Sequence, residues 1–158
     1  LTLPLLELSR LGLAGEGVDA HFSRRASVSG MPMVFLETPE QQLGFMTALG
    51  RDRPDALVRY TLDDLEDFPE SFRALERAWR AGDPAALEAR AVEPMRTAFP
   101  EVHRLLLVER NDAWLERLRG LLADAPVEVI LVGAAHLVGP EGLLRALEGR
   151  GYRVQPLR

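Results

Sequence analysis

The sequence contains no cysteine and no lysine, and only three of its residues are histidine. Without cysteine the chain cannot form a disulfide, a thiolate nucleophile or a cysteine-ligated zinc or iron–sulfur site. Without lysine it cannot use a lysine nucleophile, a Schiff base or a P-loop lysine. All 19 basic residues are therefore arginine.

Other missing features narrow the range of functions. No apolar run approaches the ~20 residues of a membrane-spanning helix, and the first nine residues lack the basic region that begins a signal peptide. The net charge is −5 without an obvious basic cluster, which argues against a nucleic-acid partner. The chain also lacks HExxH, GxSxG and GxGxxG motifs, so a zincin site, a nucleophile elbow and a Rossmann fingerprint are excluded.

The composition that remains is that of one folded domain. The chain has 158 residues, of which 47% are hydrophobic and 27% are charged. A chain of this length forms about one domain and can bury a sizeable core. We therefore predict a single domain over residues 1–158.

Three short segments rich in strand-forming residues predict β-structure at residues 33–36, 127–132 and 152–154. Residues 129–132 are apolar on both faces, a pattern that favours a central parallel strand. The last two segments and a predicted helix between them indicate a C-terminal βαβ unit with a right-handed crossover. Residues from about 50 to about 100 are predicted as a helical insertion. The predicted fold class is α/β (α+β), with a short, mostly parallel sheet.

Local signals predict several helices. The run TPEQ at 38–41 has the spacing of a capping box at a helix start. Asn111 is predicted as the N-cap of a helix whose apolar stripe begins at Trp114. Trp79 lies on another such stripe, so both tryptophans are predicted to be core residues.

Two ionisable residues follow predicted strands at the edge where ligands bind in open α/β sheets. Glu37 ends the first strand, and His136 follows the central strand through the small residues 133–135. An imidazole and a carboxylate at one edge could bind a divalent metal or act as an acid–base pair. The alternatives are a structural histidine bonded to a loop carbonyl and a carboxylate that is solvated or associated with a helix cap.

The polar triplet Glu109, Arg110 and Asn111 separates two apolar stretches. Its plain interpretation is a helix junction, in which Asn111 is the cap and the two charged residues pair with neighbours. The alternative is a functional role for the triplet.

Several of these segments together resemble a known family. The runs LVERNDAW at 107–114, VGAAHL at 132–137 and GPEGLL at 139–144 resemble the C-terminal half of the TraB/PrgY/GumN family. The run FLETPEQ at 35–41 fits the same family, so the resemblance covers nearly the whole chain. The family includes the Tiki proteins, which resemble metal-dependent proteases. The resemblance therefore implies a metal-dependent hydrolase of peptide bonds.

The resemblance also implies a role for each candidate residue. His136, from a GxxH motif, would be a metal ligand, and Glu37 would be a second ligand or the base that takes a proton from water. Arg110 would steady an oxyanion or a substrate carboxylate, with Glu109 and Asn111 lining the site beside it. The implied cofactor is a divalent metal ion, the implied substrate is a peptide or small molecule, and the implied location is the cell envelope or periplasm.

The chain departs from the family pattern at one point. The family's site uses two GxxH motifs, and this sequence contains one. We therefore expect an incomplete domain that lacks the N-terminal strands of the family fold. The sheet edge that those strands would cover is then exposed, and an exposed edge favours a homodimer.

Three functions from different classes follow from these patterns. The first is the metal-dependent hydrolase. The second is a non-catalytic regulatory or binding module of the cell envelope, which the incomplete ligand set favours. The third is carriage of a ligand such as haem, for which the chain offers no CxxCH motif and few histidines.

Overall fold

The computed structural model describes residues 3–13, 15–52, 54–66, 68–123 and 127–157. Most of the residues in those ranges are helical, and no β-strand occurs among them. The helices are α1 (Leu3–Arg10), α2 (Val18–Val28), α3 (Pro39–Asp52), α4 (Pro54–Glu66), α5 (Phe68–Ala81), α6 (Pro84–Leu87), α7 (Glu93–Ala98), α8 (Pro100–His103), α9 (Glu109–Leu121) and α10 (Leu143–Glu148). The additional segments are two π-helical stretches, Glu88–Val92 and Arg104–Val108, and a 3₁₀ turn, Ala134–His136.

The predicted α/β class is wrong, because the described part of the chain is all-α. Residues 33–36, 127–132 and 152–154 form neither helix nor strand. Val127 is 96% exposed and Val129 is 69% exposed, so most of the segment predicted as a central strand lies outside the core. A strand needs a neighbouring strand to satisfy its backbone groups, and the periodicity of one segment does not show whether such a neighbour exists. The described residues therefore contain no βαβ unit and no sheet edge for the predicted homodimer.

Several of the predicted helices are confirmed. The insertion predicted from about residue 50 to about residue 100 is helical through most of its length, from the end of α3 to α7. The capping box forms at the start of α3, where the Thr38 backbone N–H donates to Gln41 Oε1 at 2.8 Å. In return, the Gln41 backbone N–H donates to Thr38 Oγ1 at 3.2 Å. These two bonds satisfy backbone donors that have no partner within the helix, and they fix the chain immediately after Glu37.

Two clusters of buried apolar side chains form the core. The first joins α7, α8, the adjacent π-helical segments and the residues after the 3₁₀ turn, and its members are Val92, Met95, Val102, Leu105, Leu107 and Val138. The second joins α9 and α10, and its members are Trp114, Leu115, Leu118 and Leu143. The prediction of a core position is thus confirmed for Trp114. It is wrong for Trp79, which is 51% exposed, because α5 buries the small side chains of Ala74 and Ala78 instead.

The second cluster also brings two distant segments of the chain to α9. Leu36, Val132 and Leu137 are partly buried and pack against this cluster. Leu36 directly precedes Glu37, and Leu137 directly follows His136. Apolar packing therefore holds both polar residues beside α9. Within the described ranges, no helix is long and apolar enough to cross a membrane.

Candidate functional site

Helix α9 carries three of the side chains that build the candidate site, all within its first two turns. Arg110 and Trp114 are four residues apart and lie on the same face of the helix, and Asn111 is adjacent to them. The prediction that Asn111 caps this helix is wrong, because α9 begins at Glu109 and continues directly from the π-helical segment Arg104–Val108. Asn111 is only 3% exposed, so its amide must find its hydrogen-bond partners inside the protein.

Glu37 and Arg110 form a two-pronged ion pair across 73 residues of sequence. Arg110 Nη2 donates to Glu37 Oε1 at 2.7 Å, and Arg110 Nε donates to Glu37 Oε2 at 3.1 Å. Each side chain is only 15% exposed. Arg110 Nη1 also donates to the Leu106 carbonyl at 3.2 Å. This geometry fixes the guanidinium, because a bidentate pair specifies orientation as well as distance.

Trp114 connects the ion pair to the histidine. Its indole N–H donates to Glu37 Oε2 at 3.3 Å, and the Arg110 Cζ lies 4.9 Å from the centroid of its ring. The rings of Trp114 and His136 have centroids 4.5 Å apart and an interplanar angle of 41°. The apolar stripe predicted Trp114 as a core residue and did not indicate this polar role. Its spacing of four residues from Arg110 and its N–H group, which needs a partner when buried, were the signals available.

His136 is buried at the end of the 3₁₀ turn and is held by Asn111. The distance from His136 Nδ1 to Asn111 Oδ1 is 2.7 Å. Asn111 Nδ2 donates to the backbone carbonyl of His136 at 3.3 Å and to that of Glu141 at 2.8 Å. One amide therefore contacts both the ring and the backbone of His136.

The surroundings of His136 disfavour its charged form. Burial lowers the pKa of the imidazole from its ordinary value of 6.5 to about 4. The Arg110 guanidinium also lowers this pKa, and the Glu37 carboxylate raises it by a smaller amount. The ion pair and the imidazole both contact the Trp114 ring, so they lie close enough to influence each other's charge. His136 is therefore neutral at pH 7.

The structure brings together four of the five residues that the sequence nominated as a site: Glu37, Arg110, Asn111 and His136. Glu109 is not among them, because its carboxylate points away and pairs with Arg104. Its side chain is 40% exposed. We call the connected group of Glu37, Arg110, Asn111, Trp114 and His136 the α9 cluster.

The α9 cluster does not by itself provide a metal site. Across the part of the chain that the structure describes, no three or more His, Cys, Asp or Glu side chains lie together in a way that could hold a metal ion. His136 is one candidate ligand, and Glu37, the other, already accepts from Arg110 and Trp114. A catalytic zinc typically has three protein ligands, so this donor set does not fit the implied metal.

The groups that remain available define what the cluster can do. A neutral imidazole can accept a proton on one nitrogen while the other donates. Arg110 has five N–H donors, and three of them are used by Glu37 and Leu106, so two remain for a substrate oxygen. The cluster thus combines a proton acceptor with a fixed positive charge, the two groups that acyl transfer to water requires.

A sequence model of the TraB/PrgY/gumN family matches residues 1–156. No curated protein and no solved structure is significantly similar to the chain.

Proposed function

Because the chain belongs to the TraB/PrgY/gumN family, we propose that it is a hydrolase acting on peptide bonds, with His136 as the residue that activates water. One observation carries the proposal. Residues separated by up to 99 positions, from Glu37 to His136, are joined into one buried cluster through Trp114. Buried polar groups brought together over such distances are costly to maintain, which supports a function beyond stability.

The proposed reaction uses His136 first as a base and then as an acid. The water oxygen bonds to the substrate carbonyl carbon while the imidazole takes a proton from that water. The imidazolium then returns the proton to the leaving amine as the carbon–nitrogen bond breaks. With a pKa of about 4 the ring is neutral in the resting site, and negative charge that develops beside it in the transition state favours the imidazolium.

Arg110 would stabilise the substrate oxygen, and Glu37 would hold Arg110. The two N–H groups of Arg110 that Glu37 and Leu106 do not use can donate to the carbonyl oxygen as it gains charge. Glu37 accepts from three donors already. We therefore propose that it orients the guanidinium rather than acting as the base that the family resemblance implied.

The divalent metal implied by the resemblance stays a prediction, and no step above depends on it. The cluster offers the His136 ring and one crowded carboxylate, so additional ligands would be needed. Metal content measured by mass spectrometry on the purified chain tests the point. We expect the same metal content in the native chain and in His136→Ala, whereas a metal lost from His136→Ala alone would restore the metal hypothesis.

The proposed hydrolysis is tested with a mixture of fluorogenic peptides. We expect His136→Gln to lower kcat/KM about 10²–10⁴-fold, the usual contribution of a general base, and Arg110→Ala to lower it about 10²-fold or more. His21→Gln on α2 and Arg119→Ala on α9 are matched controls on exposed side chains, with expected changes within about twofold. Equal turnover by the native chain and His136→Gln would reject the proposal.

A second candidate function is a non-catalytic binding or regulatory module of the cell envelope. The closed ion pair favours it, since Glu37 and Arg110 satisfy each other and leave few groups for a substrate. The two candidates differ in their need for His136. If His136→Gln restores the phenotype of a deletion strain as well as the native gene does, the binding module is the better account. Cell fractionation of the native protein tests the proposed envelope location.

A further inference from the structure

The orientation of the Asn111 amide is determined by two backbone carbonyls. One end of the amide faces the carbonyl oxygens of Glu141 at 2.8 Å and of His136 at 3.3 Å. A carbonyl oxygen only accepts hydrogen bonds, so this end must be the NH₂ group, which supplies two donors. The other end is therefore Oδ1, and it lies 2.7 Å from His136 Nδ1.

The tautomer of His136 follows from this orientation. An amide oxygen has no proton to donate, so a hydrogen bond with Nδ1 requires that Nδ1 carry the proton. We infer that Asn111 is a positioning residue that holds neutral His136 in the Nδ1–H tautomer and leaves Nε2 as the single proton-accepting atom of the ring. The inference concerns the ring itself, and only its consequence for turnover rests on the proposed hydrolysis.

The rest of the ring's surroundings agree with this assignment. The Trp114 ring lies against the imidazole, with 4.5 Å between the centroids. This contact limits rotation of the imidazole about its Cβ–Cγ bond. A Cβ placed on Gly133 would lie 3.7 Å from His136 Cδ2, the carbon bonded to Nε2. Since Gly133 has no side chain, the Nε2 edge is not crowded from that direction. The same Asn111 amide holds the His136 carbonyl, so ring and backbone are fixed by one side chain.

This arrangement assigns Asn111 a different role from the one the family resemblance implied. A group that lined the site would contact the substrate, whereas both ends of the Asn111 amide are occupied by His136 and Glu141. At 3% exposure, it acts through His136. Removal of a partner that orients a metal-bound histidine typically costs about 10–100-fold in activity, and we expect an effect of the same order when Asn111 no longer orients His136.

The tautomer can be read directly by ¹⁵N NMR of the native chain labelled at histidine. Only three histidines contribute, and His21→Gln and His103→Gln identify their signals. At pH 7.5 we expect the His136 Nδ1 signal at the protonated, pyrrole-type position and the Nε2 signal at the pyridine-type position. A protonated Nε2 in the native chain would overturn the inference, whether or not the protein has any hydrolytic activity.

Variants of Asn111 separate its role as acceptor for Nδ1 from its role as donor to the two backbone carbonyls. In Asn111→Ala we expect the Nδ1–H preference of His136 to be lost. Asn111→Asp keeps the acceptor for Nδ1 but removes the donors to both carbonyls, so we expect Nδ1–H to persist. An unchanged His136 spectrum in a folded Asn111→Ala would overturn the assignment to Asn111.

Turnover provides the second readout. We expect Asn111→Ala to lower kcat about 10–100-fold with a much smaller change in KM, because Asn111 does not touch the substrate. If the spectrum shows Nδ1–H but no peptide is cleaved by the native chain, the proposed hydrolysis fails and the tautomer assignment stands. If Asn111→Ala changes the spectrum of an active enzyme but leaves kcat unchanged, the positioning role is wrong.

Discussion

Two groups of charged side chains in this chain use the same residue types in very different ways. In the α9 cluster, Glu37 and Arg110 are each 15% exposed and 73 residues apart in sequence. Around Arg96, three carboxylates gather at the surface, where the exposed fractions are 28% for Arg96 and 33–44% for its partners Glu88, Glu93 and Glu141. We call this second group the Arg96 cluster.

The difference lies in burial and geometry. Arg96 contacts Glu88 at 3.7 Å and Glu141 at 3.5 Å, single contacts that water can replace. Arg110 makes two aligned bonds to one carboxylate, and an indole N–H adds a third. Exposed pairs add little to stability, whereas removing one partner of a buried pair leaves a charge that cannot be solvated. The α9 cluster should therefore respond far more strongly to mutation.

The largest expected effect is that of Arg110→Met. The variant leaves the Glu37 carboxylate buried with only the Trp114 N–H as a partner, and we expect the free energy of unfolding at pH 7 to fall by about 3 kcal/mol. Urea denaturation followed by circular dichroism measures it. The matched control is Arg119→Met on the same helix, where Arg119 is 55% exposed and pairs with Glu116.

The double variant Arg110→Met with Glu37→Leu sharpens this test. It removes both charges, so we expect it to recover much of the stability lost in Arg110→Met alone. If Arg110→Met costs no more than Arg119→Met, the two charge clusters do not differ in the way that their burial indicates.

The next largest effect is the pH dependence that His136 contributes. Its pKa is about 4 in the folded chain against an ordinary value of 6.5, so the unfolded chain binds more protons between these values. Stability from this group is fully present above pH 6.5 and is lost as the pH falls toward 4. We expect a loss of about 2 kcal/mol between pH 8 and pH 5 from this residue.

Comparison of the native chain with His136→Gln isolates that contribution. Burial also lowers the pKa of His103; the Arg96 charge acts in the same direction, and the Glu141 carboxylate opposes it. The native chain therefore contains a second histidine that reduces stability as the pH falls. On acidification, His136→Gln should lose less stability than the native chain. His103→Gln should still lose most of the stability that the native chain loses. Equal losses in the native chain and His136→Gln would show that His136 is not buried as a neutral ring.

The sequence predicted the components of the α9 cluster better than the architecture that holds them. Glu37 and His136 were expected at one edge of a sheet, and they meet beside a helix instead, because Leu36 and Leu137 pack on the same apolar cluster. Apolar residues that flank a polar one bring it to the core in either architecture. The sequence therefore indicated which residues would be brought together without indicating what would hold them.

The fold class could not be predicted because strand pairing is not a local property. The run at 129–132 has the composition of a buried strand, yet Val129 is 69% exposed. Helix signals succeeded where they depend on neighbouring residues, as the capping bonds of Thr38 and Gln41 show. They failed at Asn111, because the preceding residues 104–108 are π-helical and leave no helix start for Asn111 to cap.

A smaller effect is expected from Arg96→Gln in the Arg96 cluster. The variant removes three partly exposed ion pairs at once, and we expect the urea midpoint to fall by roughly a few tenths of a molar at low salt. The change should shrink as salt is added, because exposed charges are screened. Arg80→Gln, which removes a single exposed pair with Glu76, is the control and should change the midpoint less. A loss that persists in high salt would mean that the Arg96 cluster is more buried than its exposure indicates.

The smallest effect is expected from Glu109→Gln. This variant tests whether Glu109 and Arg110, which are adjacent in sequence, differ in their contribution to stability. Glu109 directly precedes Arg110, but its carboxylate pairs with Arg104, which is 51% exposed. Arg104 also keeps Glu101 as a partner at 3.1 Å, so the variant leaves no charge buried or unpaired. We therefore expect the urea midpoint of Glu109→Gln to equal that of the native chain within error, while Arg110→Met, one residue away, shows the largest change. A destabilisation comparable to that of Arg110→Met would place Glu109 inside the α9 cluster after all, since only a buried carboxylate loses so much on neutralisation.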